Sequence, residues 1–216
     1  MVDYYSFQQH IVSKFWQSLS RLRTNDYLRI LGGEYASLHK YVTKLINDLK
    51  SLDIFLVFFI DGGKGSSIAG LRQKIDTWIL RHGEDMKKLS QNLDVLWGKT
   101  NISFLPGDVN IRPVVLEDQF MAALRSCGCE IHQIPAGEAD LLIIRALHER
   151  QKAFAILSND SDFGVFKDSC FIPQALFDLD NDLQLGEPRE EPEKPSRLKV
   201  KVITTNGVMQ MLRVII

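Results

Sequence analysis

Apolar residues recur along the chain in two rhythms. From Ser6 to about Leu22, the residues Phe7, Ile11, Phe15, Trp16 and Leu19 fall at helical spacing. From Glu34 the set Leu38, Tyr41, Val42, Leu45, Ile46 and Leu49 does so again. Steps of three and four put side chains on one helix face, so both segments are predicted to be amphipathic helices. Thr24–Gly33 between them reads as a loop. The run "IFLVFFI", Ile54 to Ile60, is continuous, rich in β-branched and aromatic residues, and ended by Asp61. It reads as a strand buried on both faces.

Further on, Ile68 to about Leu96 is charged and mostly helical, Ile102–Phe104 a short strand and Val114–Arg125 a helix. Glu130–Ile134 reads as a strand, Gly137–Arg150 as an amphipathic helix and Ala153–Leu157 as another buried strand. Leu198–Ile203 alternates like a strand, and "TTNGVMQMLRVII" is read as the start of a helix. Strands alternating with helices predict an α/β fold with a mostly parallel central sheet.

Composition narrows the class. The chain has 216 residues, enough for one domain over 1–216. "DLDNDLQLGEPREEPEKPS", with three prolines and many charges, predicts a looped or disordered insert over 178–197. A start on what reads as the tail of a strand, and an end on an apolar segment, predict a domain truncated at both ends. The formal net charge is −1, so any polyanion site must come from local clustering of basic groups. The longest apolar run, Ile54–Ile60, is far too short to span a bilayer, and no signal peptide is visible, which predicts no membrane partner; a count of three cysteines predicts a reducing, intracellular compartment. Cys127, Cys129 and Cys170 do not make a disulfide framework. Cys127-Gly128-Cys129 with His132 lacks a fourth zinc ligand, and partly buried free thiols are the better reading.

The acids change the picture. In a parallel α/β sheet, ligand sites lie beyond the carboxyl ends of the strands. Asp61 closes one predicted strand, Asp160 and Asp162 follow another, and Glu138 and Asp140 open the helix after a third. Asp3 stands near the start, with "YYSF" behind it. Taken singly, each has a plain structural reading: a turn for Asp61-Gly62-Gly63, an Asx-rich turn for "SNDSD", a helix-dipole partner for Glu138 and Asp140. Together, so many carboxylates on one edge repel one another unless a cation joins them. An oxygen-only set suits Mg²⁺ or Mn²⁺, one ion or two, and two such ions promote phosphodiester cleavage.

Asp61 after its apolar run, then "GEAD" (Gly137–Asp140), then "SNDSDF" (Ser158–Phe163) resemble the flap-endonuclease-like PIN-domain nucleases. With "GGEY" (Gly32–Tyr35), "DGG" (Asp61–Gly63) and "ILSNDSDFGVF" (Ile156–Phe166), the chain is most similar to the asteroid branch, over most of its length. The resemblance implies a three-layer PIN-like fold and a metal-dependent endonuclease acting on structured, single-stranded or overhang-containing DNA, with nuclear location and a role in DNA repair. It implies metal and catalytic roles for Asp61, Glu138, Asp140, Asp160 and Asp162, with Asp3 as the first-strand ligand. The resemblance also implies a further Asp and a helical DNA-gripping region, expected downstream of the residues in hand.

The segment after Asp61 carries Lys64, Arg72, Lys74, Arg81, Lys87 and Lys88. By resemblance it arches over the site. Arg72 and Lys74 are the first candidates for phosphate contacts, with Lys64 and Arg81 beside them. Asp76, Glu84 and Asp85 interrupt the run, as on a solvated helix face, and Trp78 reads as core rather than a base-stacking platform. A second functional class stays open: a non-catalytic PIN-like binding or coactivator module with a protein partner, or an inactive truncated form.

Overall fold

The computed structural model describes residues 1–20, 34–62, 67–99, 115–178, 197–204 and 209–215. In chain order these form β1 (Val2–Asp3), α1 (Tyr4–Ser20), α2 (Tyr35–Ser51), β2 (Val57–Ile60), α3 (Ile68–Leu96), α4 (Leu116–Ser126), β3 (Glu130–Gln133), α5 (Asp140–Glu149), β4 (Ile156–Ser158) and β5 (Cys170–Pro173). The chain continues into β6 (Phe177–Asp178), β7 (Arg197–Thr204) and β8 (Met209–Ile215).

The fold is α/β. Strands β3-β2-β1-β4-β5 run parallel in that spatial order, and β7, β6 and β8 extend the sheet antiparallel. Register follows the pleat. Phe58 and Ile60 of β2, Leu157 of β4 and Ile172 of β5 face a core built with α1, α2 and α4. Their neighbours Phe59, Ile156 and Phe171 face the opposite side, packed with Ile143 and Leu147 of α5 and with Phe163. Alternate residues of one strand point to opposite faces, so a continuous apolar run fills two cores. The sheet is therefore flanked by helices on both faces, as a three-layer architecture requires.

One boundary differs from the sequence reading for a reason that recurs in the chain. The strand expected from Ile54 begins at Val57. Asp53 takes a left-handed φ of 59°, its N–H donates to Lys50 O at 3.0 Å, and Ile54 N–H donates to Leu49 O at 3.0 Å. That pair of bonds is a Schellman stop, and it holds Ile54 to the helix end rather than to the sheet. The same device explains Cys127-Gly128-Cys129. Gly128 has φ 66°, its N–H donates to Arg125 O, and Cys129 N–H donates to Leu124 O. The motif ends α4, and its cysteines are free thiols.

The helix read over Gly137–Arg150 starts only at Asp140, so Glu138 lies in the preceding loop rather than in the first turn. Gly137 sits there at φ 88°, a region that favours glycine. The strand read over Ala153–Leu157 is shifted to Ile156–Ser158. The largest correction is the last segment. Met209–Ile215 is a strand paired antiparallel with β7, with Ile203 opposite Met209. Asn206-Gly207 between two apolar runs is a hairpin signal that outweighs the helical spacing. Asp178 and Arg197, assigned to the insert, are strand residues. Residues 179–196, the loop read over Thr24–Gly33 and the strand read over Ile102–Phe104 lie outside the described residues.

Candidate functional site

The order 3-2-1-4-5 reverses direction between β1 and β4. Successive strands go outward from β1 to β3, then return to the other side of β1. The connecting helices leave on opposite faces there, and in open α/β sheets ligands bind at such a point, beyond the carboxyl ends of the strands. Asp3 is the last residue of β1, Asp61 follows β2, and Asp160 follows β4 by two residues. The loop after β3 brings Glu138 and Asp140 to the same edge.

Backbone and hydroxyl groups hold these acids individually. Ser158, fully buried at the end of β4, donates its hydroxyl hydrogen to Asp3 Oδ2 at 2.8 Å. The same hydroxyl oxygen accepts the Asp160 N–H at 3.0 Å. Ser158 thus joins the tips of β1 and β4. Ser6 supports the junction from α1: its N–H donates to Asp3 Oδ1 at 3.4 Å, and its hydroxyl accepts the Asn159 N–H at 2.7 Å. Asp61 Oδ1 accepts the Ala139 N–H at 2.8 Å, so a carboxylate from the β2 loop serves the amino end of α5, where Ala139 brings no side-chain cap. Asp160 Oδ1 accepts the Asp162 N–H at 2.9 Å and caps a short 3₁₀ turn over Ser161–Val165.

The acids sense one another. Burial pushes the Asp140 carboxyl up from 3.8 to about 6, helped by repulsion from Asp160, Asp61, Glu138 and Asp3. Burial also raises Asp3; the Ser158 and Ser6 hydrogen bonds oppose that rise, while Asp61 and Asp160 add to it. Asp162 is exposed on the 3₁₀ turn, as is Asp160 just before it. Asp160, Asp61, Glu138 and Asp3 thus add to the rise of Asp140, and Asp61 and Asp160 to that of Asp3, while Asp162 lies two residues beyond Asp160 in the 3₁₀ turn.

The donor set suits a hard divalent cation, since every candidate ligand is a carboxylate. Its geometry is not closed: among the described residues, no three His, Cys, Asp or Glu side chains are grouped so as to hold one metal ion. Asp3, Asp61 and Asp160 each commit at least one oxygen to a protein donor.

The basic candidates separate. Arg72 and Arg81 are exposed on α3, and Lys64 lies outside the described residues. Arg81 is about 20 Å along the helix from Ile68 at 1.5 Å per residue. Lys74 is half-buried, and its ammonium bridges Gly62 O at 2.9 Å and Gly137 O at 3.4 Å. Trp78, read as core, is instead 49% exposed, on a face of α3 that also leaves Leu71, Ile75 and Ile79 in solvent.

Sequence reasoning missed Ser158 and Gly62. The signal for Ser158 was a hydroxyl residue at the end of a buried run. The signal for Gly62 was a glycine directly after a strand-end acid. A Cβ on Gly62 would lie 2.4 Å from Ala136 Cα, so the loops after β2 and β3 meet backbone to backbone. A separate groove of about 360 Å³ between β3 and α5, lined by Phe59, His132, Ile134, Leu142 and Arg145, includes none of the acids.

No family model, curated protein or solved structure matches the chain. No described helix is long and apolar enough to cross a membrane.

Proposed function

We propose that this chain is a PIN-like, asteroid-type endonuclease domain that hydrolyses phosphodiester bonds in single-stranded or overhang-containing DNA with Mg²⁺ or Mn²⁺. The observation that supports the reading is the placement of Asp3, Asp61, Asp160 and the loop carrying Glu138 and Asp140 at the carboxyl ends of adjacent parallel strands around the topological switch point, where neighbouring carboxylates add to the burial that raises Asp3 and Asp140. A fold gains nothing by collecting charges that oppose one another, unless a ligand of opposite sign uses them. When bound, a divalent ion neutralises the carboxylates, activates water and stabilises charge on the leaving oxygen. The chain's own part is to hold Asp3 and Asp160 through Ser158, to hold Asp61 against the start of α5, and to offer Arg72 on α3 to a phosphate.

The test is cleavage of a labelled single strand and of a duplex with a 3′ or 5′ overhang, with Mg²⁺, Mn²⁺ or chelator. Cutting should need the ion and should be lost in Asp160→Asn and Asp140→Asn. Cutting that survives both substitutions, or an absence of cutting by wild type, defeats the proposal.

A second reading has its own observation. Leu71, Ile75, Trp78 and Ile79 are exposed along one face of α3. Such a face suits a non-catalytic binding module whose partner is a protein. Retention of a protein partner by wild type, its loss in Trp78→Ser, and no divalent-ion binding at millimolar concentration would favour that reading.

A further inference from the structure

We propose that Lys74 is a positioning residue that ties α3 to the loops after β2 and β3 and so sets the spacing of the acids they carry. The inference rests on the reading above only for which acids matter; its own basis is geometric.

Lys74 lies two turns into α3, where its neighbours Arg72, Gln73, Ile75 and Asp76 are exposed and it alone is half-buried. Its ammonium donates to Gly62 O at 2.9 Å, one residue after Asp61. It also reaches Gly137 O at 3.4 Å, one residue before Glu138. Gly62 N–H donates to the same Gly137 carbonyl at 2.9 Å, and Ala139 N–H donates to Asp61 Oδ1 at 2.8 Å. Three kinds of link thus join the two loops: one backbone bond, one carboxylate bond and one ammonium bridge. Only the ammonium comes from a third element.

The chemistry suits a tether. An ammonium has three donors and no fixed plane, so it can serve two carbonyls that diverge from one point. Charged donors on carbonyl oxygens bond more strongly than neutral ones. An ammonium engaged in this way is not free to hold a phosphate, which separates Lys74 from the exposed Arg72. The close approach of Gly62 to Ala136 leaves the loops no slack, so a pull on either carbonyl moves Asp61 relative to Glu138 and Asp140.

The experiment compares wild type with Lys74→Met, Lys74→Gln and Lys74→Arg by amide hydrogen exchange and by calorimetric titration with Mn²⁺. The informative amides are Gly62 and Ala139, which cross between the loops; Leu157, bonded to Met1 O across β1 and β4, is the control. Lys74→Met should speed exchange at Gly62 and Ala139 about tenfold and leave Leu157 unchanged. Lys74→Arg should return both within about twofold of wild type, and Lys74→Gln should fall between. Mn²⁺ affinity should weaken several-fold in Lys74→Met and recover in Lys74→Arg. Unchanged exchange at Gly62 and Ala139 in both neutral variants overturns the tether. So does weaker binding of a single-stranded oligonucleotide with unchanged exchange, which would make Lys74 a phosphate ligand. If wild type binds no Mn²⁺, the functional reading fails, while the exchange rates still decide the role of Lys74.

Discussion

Replacing Asp140 by Asn should stabilise the fold near neutral pH and remove the proposed activity at the same time. Asp140 is the first residue of α5, half-buried and facing four other carboxyls. Its carboxyl is moved from 3.8 to about 6 by burial and by repulsion from Asp160, Asp61, Glu138 and Asp3. In a dry site such a shift would oppose folding by about 3 kcal/mol at neutral pH. Solvent at this half-open edge screens it to about 1.5 kcal/mol. The carboxylate also gains a few tenths of a kcal/mol, roughly, from the amino end of α5, a gain that Asn forgoes. The net stabilisation is about 1 kcal/mol, or about 2–4 °C in the unfolding midpoint for a chain of this size.

The pH dependence carries the sign. The folded protein binds this proton more tightly than the unfolded chain does. The penalty is therefore absent below about pH 4, grows between pH 4 and 6, and is complete above that. Urea titrations of wild type and Asp140→Asn at several pH values, without divalent ions, measure the difference directly. The variant should be the more stable at pH 7.5 and indistinguishable at pH 4. A variant no more stable at pH 7.5, or equally favoured at both pH values, would refute the claim that these acids oppose one another.

The remaining predictions concern the same edge. Divalent-ion affinity should fall as pH drops through about 6, where Asp140 takes up its proton; calorimetric titrations with Mn²⁺ at pH 5 and 7.5 check this, and equal affinities would remove Asp140 from the binding set. Ser158→Ala should lower stability by about 1–3 kcal/mol, because Asp3 loses a donor and the Asp160 N–H loses its acceptor; an unchanged unfolding midpoint would show the hydroxyl to be dispensable. Gly62→Ala should cost about 1–3 kcal/mol or more, since the new methyl meets the Ala136 backbone, and a denaturation midpoint equal to wild type would contradict the close approach.

Much of the fold was legible along the chain. The α2 pattern became the buried face Leu38, Tyr41, Val42, Leu45, Ile46 and Leu49, because a side-chain period is local information. The helix over Ile68–Leu96 has its predicted bounds. Where the reading failed, non-local or end effects were responsible. Trp78 fits an apolar stripe, but no described element covers that stripe, and burial depends on what packs opposite. The closing strand was read as a helix because β7 supplies its partner, and short apolar runs do not settle their own period.

The candidate site divides in the same way. The sequence by itself determined which carboxylates stand at strand ends, because an acid that stops an apolar run marks where the sheet meets solvent. Only the tertiary structure decided which of them face one another. Parallel pairing placed β1 between β2 and β4, which set Asp3 among Asp61, Asp140 and Asp160. Charge interaction depends on distance through space, and strand order, which no local pattern encodes, fixes that distance.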